Sequence, residues 1–233
     1  MRFLYLGILL AVFGSLGYVA LTGPETPLPD AWNPTKPLHV THEYTPLTQW
    51  KLTRALNDRQ ACLAALGTGA QITSLPDFGA SAQCHIKPQV RLSAVGQSSL
   101  NPVNTRCQTA LRMAMWEHHG IQPAAQAHLG AAVGRVAHFS SYSCRAIRTP
   151  KGSTTRMSTH ATADAIDVSG FILDDGREIS LKRDWNGDAT TAAFLRDVRD
   201  SACEWFRVTL SPDYNTLHAD HFHLQHTGWG LCR

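Results

Sequence analysis

The chain has 233 residues and a formal net charge of +3, with 43% hydrophobic and 17% charged residues. That balance excludes a disordered polymer, and so mild a charge with no Lys/Arg block argues against nucleic acid as a partner. The length suits one well-buried domain with additions.

From Phe3 to Thr22 the run FLYLGILLAVFGSLGYVALT carries no charge, and about 20 apolar residues cross a hydrocarbon core of roughly 30 Å as a helix. A cleaved signal peptide is the competing reading, but no good small-x-small cleavage site follows Tyr18, and no cysteine lies near enough for lipid attachment. An uncleaved transmembrane signal anchor over residues 1–23 is favoured, with Arg2 holding the N-terminus inside and the rest of the chain outside. Residues 24–46 hold six of the twelve prolines, which favours an extended linker over packed helices, with the domain beginning near Leu47.

Apolar residues recur at helical spacing from Gln49 to Leu66 and again from Thr105 to His118, through Cys107, Ala110, Leu111, Ala114 and Met115. Short runs rich in β-formers, Val133 to Tyr142 and Ala165 to Leu173, read as strands, and the DDG at Asp174 to Gly176 turns the second into a hairpin with REISL. The stretch DATTAAFLRDVRDSACEWF restores helical spacing through Phe194, Leu195, Val198 and Ala202, and FRVTL and HFHLQ close the chain as strands. The expected architecture is α+β: a small antiparallel sheet flanked by helices, after the N-terminal transmembrane helix. Cys62, Cys84, Cys107, Cys144, Cys203 and Cys232 all follow the apolar run. An even number downstream of an export signal suits disulfides in an oxidising compartment, and adjacent pairing is the simplest of the possible arrangements. No C-x-x-C pair occurs, which disfavours a thiolate zinc finger.

The chemistry concentrates late in the chain. In HFHLQ, alternation puts His221, His223 and Gln225 on one face and Phe222 and Leu224 on the other. Upstream, in RMSTHATADAIDVSGF, His160 and Asp167 stand seven residues apart, a loop-to-strand pair and no H-E-x-x-H helix. On its strand Asp167 shares a face with Ala165 and Ser169, opposite Ile166 and Val168. A carboxylate there is costly unless paired or bound to a cation. His160, Asp167 and one histidine of H-x-H form a two-nitrogen, one-oxygen set, the pattern of a catalytic zinc site with one open position.

Ser158, His160, Ala163, Ala165 and Asp167, followed by His218, His221 and His223, resemble the signature of the LAS-type zinc peptidases, the D-Ala-D-Ala carboxypeptidases and murein endopeptidases among them. More narrowly, CRAIRTPKGSTTRMSTHATADAIDVSGF, DWNGD, AAFLRDVRDSAC and SPDYNTLHADHFHL resemble the bacterial extensin-like C-terminal domain family over residues 48–233, without the Ser-Pro repeats of plant wall proteins. The resemblance implies Zn2+ on His160, Asp167 and His223, with His221 as the acid/base beside it. His218 would match the additional histidine of the murein endopeptidase. Where carboxypeptidase-like members place a glutamate base, this chain has Asp220, which reads as a base, a partner to an imidazole N–H or a turn residue. Arg145 falls where such peptidases place an arginine facing substrate.

The expected function is zinc-dependent hydrolysis of peptidoglycan peptides, of D,D-carboxypeptidase or endopeptidase type, by a domain facing the periplasm from the inner membrane. A zinc-containing wall-binding module without turnover and a metal-free disulfide-stapled scaffold are the other classes that fit. Asp184, Asp188, Asp213 and Tyr214 read as caps and turns, and the remaining histidines, His226 included, receive no role.

Overall fold

The computed structural model describes residues 2–23 and 26–233. Helix α1, Arg2–Thr22, is uncharged from Phe3 onward, and its residues Phe3–Thr22 are long and apolar enough to cross a membrane, as a signal sequence also is. The proline-rich arm that follows forms a short helical turn at Asp30–Trp32 and then packs onto the domain. Leu38 and Val40 join the hydrophobic core, so the packed unit begins before Leu47. A Cβ on Gly69 would lie 2.4 Å from the Val40 side chain, so only glycine lets the two backbones approach this closely.

The periodic stretch after Leu47 is two helices, α2 Thr48–Leu56 and α3 Arg59–Leu66. They separate because Asp58 leaves helical geometry and accepts a hydrogen bond from Ala61 N at 2.7 Å, capping α3. Next come β1 Ala70–Ser74, the short pair β2 Phe78–Gly79 and β3 His85–Ile86, then β4 Gln89–Val95 and β5 Ser98–Arg106. The second helical stretch is α4, Cys107–Trp116, continued by a wide turn over Glu117–Ile121 into α5, Gln122–Leu129. Then follow β6 Val133–His138, the hairpin β7 Ala146–Thr149 and β8 Gly152–Met157, β9 Ala165–Leu173, β10 Glu178–Ser180, and helices α6 Leu181–Asp184 and α7 Ala189–Trp205. Strands β11 Val208–Leu210, β12 Phe222–Gln225 and β13 Leu231–Cys232 end the chain.

The α+β class holds, but the sheet is larger than expected and is mixed. Nine strands join in the order β1-β4-β5-β6-β9-β12-β11-β13, with β10 on β9. The pairs β5–β6 and β11–β13 run parallel, against the all-antiparallel expectation. The helical segments between β5 and β6 carry the chain back across the sheet, which a two-residue hairpin could not do. On the helix-facing side Phe222, Phe171 and Phe206 meet the fully buried Trp116 edge-on, at 6.5, 6.3 and 6.1 Å between ring centroids. Burying aromatics of this size supplies much of the apolar driving force. It also fixes β12 so that its alternate residues face away from the core.

The cysteines pair as Cys62–Cys107, Cys84–Cys144 and Cys203–Cys232. Adjacent pairing holds only for the last. The first two interleave because α3 lies against α4, and because the β2–β3 segment lies against the loop that leads into β7.

Candidate metal centre

The antiparallel register of β12 on β9 sets His223 directly opposite Asp167, and Phe222 opposite Val168. Directly opposed residues share a face with Cβ atoms about 5 Å apart. His160 arrives from the preceding loop, where Ser158 caps a short turn over Thr159–Thr162 and Ala163 takes a left-handed conformation, φ 52°, to swing the chain into β9. Ala163 is fully buried and its carbonyl accepts from Thr109 Oγ1 at 2.8 Å, contacts that hold a conformation alanine normally avoids. Asp164, next in line, accepts from Arg106, from Thr162 Oγ1 at 2.6 Å and from His226 Nε2 at 2.8 Å. His226, given no role from sequence, therefore braces the loop between His160 and Asp167.

The result is a triangle of ligand atoms. His160 Nε2 lies 3.1 Å from His223 Nδ1 and 3.2 Å from Asp167 Oδ1, and His223 Nδ1 lies 2.9 Å from the same oxygen. The outward nitrogens decide the protons. His160 Nδ1 is 3.0 Å from Ser141 O, a carbonyl that can only accept. His223 Nε2 is 3.5 Å from Gln225 Oε1, and the Gln225 amide is turned that way because its Nε2 donates to Thr227 O at 2.7 Å. With both outward nitrogens donating, the inner nitrogens of neutral imidazoles would present lone pairs to an ion held beside Asp167. When no ion lies between them the imidazoles can instead turn a proton inward to Asp167, and those contacts outweigh the opposing effect of burial and hold its carboxyl far below the usual range.

Three acceptors facing one another repel unless a cation lies between them. Ligands at 2.0–2.2 Å in a tetrahedral shell stand roughly 3.4 Å apart, close to the spacing seen here. The donor set fits a zinc-like ion, and His160, Asp167 and His223 are the group of side chains that could hold one among the described residues.

His221 stands beside this triangle. Its Nδ1 lies 2.7 Å from Asp220 Oδ1 and its Nε2 lies 3.7 Å from Asp167 Oδ1. This is the contact that Asp220 would make as partner to an imidazole N–H. His218 donates through Nδ1 to Asn215 Oδ1 at 2.8 Å, with its ring 5.3 Å from that of His221. Burial, then the neighbouring His223 and His221, lower its pKa to about 4, so it is neutral at pH 7. Arg145 and Arg148 line the same cleft, of about 600 Å3, together with Tyr214 and Leu217. Among the described residues no carboxylate lies within ion-pair distance of Arg145, whose Nη1 reaches only Ala146 O at 3.3 Å. Asp188 caps α7 by accepting from Thr191 N at 3.0 Å, and Asp213 accepts from Trp185 Nε1 at 2.8 Å, both in the structural roles expected of them.

Sequence reasoning missed Ser141, Asn215 and Gln225. Alternation had placed Gln225 on the histidine face, and that was its signal. Ser141 acts through a backbone carbonyl, for which no residue type gives a sign.

An α+β fold with a His-Asp-His centre at the floor of a cleft is the class these features define. Residues 60–233 match the family described as extensin-like protein C-terminus, and the chain belongs to that family. No curated protein and no solved structure matches it significantly.

Proposed function

We propose that the chain is a zinc-dependent peptidase of cell-wall peptides, of D,D-carboxypeptidase or endopeptidase type, held in the inner membrane by α1 with its domain in the periplasm. The observation that carries this reading is the triangle of His160 Nε2, His223 Nδ1 and Asp167 Oδ1, with both outward imidazole nitrogens already engaged. The likeness of its motifs to those of LAS-type peptidases supports the substrate class, and the three disulfides suit an oxidising compartment.

Zinc held by His160, Asp167 and His223 would supply a Lewis acid that polarises an amide carbonyl and acidifies water. Asp220 keeps the His221 proton on Nδ1, so Nε2 is free to take a proton from water and return it to the leaving amine. Arg145, with no carboxylate partner among the described residues, would hold a substrate carbonyl or carboxylate. His218, neutral, adds no charge to the cleft.

The test uses untagged full-length protein, assayed for metal by mass spectrometry and for cleavage of purified muropeptides. One zinc per chain and release of peptide are expected. His221→Gln should retain zinc while losing about 100-fold or more of the rate. Stoichiometric zinc with no turnover across carboxypeptidase and endopeptidase substrates would identify a binding module instead.

A further inference from the structure

The end of the domain nearest α1 carries a second polar hollow, unconnected with the metal centre's chemistry. Asn33 Nδ2 and Thr35 Oγ1 both donate to Leu21 O in the last turn of α1, at 2.8 and 2.9 Å. Thr35 in turn lines a hollow of about 550 Å3, whose walls include Lys36, Lys51 and Arg54. Among the described residues no carboxylate lies within ion-pair distance of these three cations. Asp58 is the one acid on the wall, and its Oδ1 is engaged as the cap of α3, 2.7 Å from Ala61 N.

Lys51 is the most telling member. It is only 5% exposed, and its ammonium donates to Asp30 O at 2.5 Å. An ammonium has three donors, and a buried cation without a counter-anion is costly. That cost appears as a lowered pKa, caused first by burial and only partly offset by Asp30. Lys51 lines this hollow and also a much smaller neighbouring one with His42 and Glu43, and an anion in the larger hollow would lessen that cost. Arg54 lies 4.7 Å from the ring centre of Trp50, a stacking that leaves its planar edge free for an oxyanion.

Position relative to the bilayer identifies the anion. Phe3–Thr22 is 20 residues long, and at 1.5 Å per residue it spans a hydrocarbon core of roughly 30 Å. The Leu21 carbonyl then lies at the edge of the hydrocarbon. The headgroup layer beyond is about 5–7 Å deep, and Thr35, one hydrogen bond from Leu21, lies within it. Trp32 and Trp50, 45% and 44% exposed, flank the same region, and half-exposed indoles favour that interface.

We propose that the hollow formed by Lys36, Lys51 and Arg54 binds the phosphate of an anionic membrane lipid, seating the domain against the bilayer. This requires that α1 stay attached, and it is independent of what the metal centre does.

The experiment uses full-length protein in nanodiscs of phosphatidylglycerol mixed with phosphatidylcholine, extracted gently and examined by native mass spectrometry. Wild type should retain phosphatidylglycerol selectively. The double variant Lys36→Ala/Arg54→Ala spares buried Lys51 and should retain about tenfold less. The double variant Lys151→Ala/Arg156→Ala, which removes two exposed cations around β8, should behave as wild type. Equal retention of both lipids, or equal retention by the Lys36/Arg54 variant, would overturn the proposal. So would displacement of the lipid by millimolar inorganic phosphate, which marks a site for free phosphate, or an intact mass showing that residues 1–23 are removed.

Discussion

Two groups of histidines in this chain show how little a residue count says about chemistry. His39, His42, His118 and His119 gather around Val40 and Trp205. His39 and His42 stack at 4.5 Å, and His119 stacks on Trp205 at 5.2 Å and lies 3.1 Å from Val40 O. Among the described residues no carboxylate lies within ion-pair distance of these four. Burial, then His118, lowers the His119 pKa to about 4. Its ring serves as a flat apolar surface with one polar edge. Around Asp167 the same residue type is arranged differently, with an anion at the centre, lone pairs inward and N–H groups outward. The lesson is that a buried carboxylate with fixed tautomers around it makes a candidate metal centre, and that clustered imidazoles alone do not.

The largest effect should come from removing that anion. Asp167→Ala is expected to abolish stoichiometric zinc, measured by metal analysis after dialysis, whereas His119→Ala should leave it at wild-type level. Zinc lost from both would break the distinction between the groups. Next in size, Phe222→Ala is expected to lower stability by about 3–5 kcal/mol in denaturant unfolding, because the ring fills the space beside Trp116 and Trp185. The folded fraction should still load zinc. A variant of normal stability but no metal would show that the two faces of β12 are not separable.

The smallest effect concerns pH and sharpens the contrast. The folded pKa of His119, about 4, lies below its ordinary value of 6.5. The stability its neutral form contributes is present above about 6.5 and is lost as pH falls through about 4. His119→Gln should therefore flatten the fall in melting temperature across that window. An unchanged acid limb would mean that His119 is not held neutral by its surroundings.

Much of the fold could be read from periodicity. The strand Ala165–Leu173 and the helix Ala189–Trp205 emerged with their cores in place, because each alternates or repeats strongly over many residues. The strands between Ala70 and Arg106 did not, since NPVNTR and QITS mix turn formers with polar residues, and their pairing comes from sheet neighbours distant in sequence. The break at Asn57–Asp58 was visible only as a cap residue inside an otherwise continuous helical stripe. In the site, His160, Asp167, His221 and His223 could be named because side-chain type carries their chemistry. Ser141 and Asn215 could not, because a carbonyl and a loop amide act only once the chain has folded.

The pairing of His223 with Asp167 would also make metal loading, as proposed for this centre, a check on assembly. A slip of β12 by one residue would turn His223 into the core and Phe222 out to solvent. Such a misregistered chain could be compact and fully disulfide-bonded, yet it would offer two ligands instead of three. Metal occupancy would then distinguish correctly threaded molecules from near misses that oxidation alone passes, and a cell that supplies the ion late in maturation would be selecting for register.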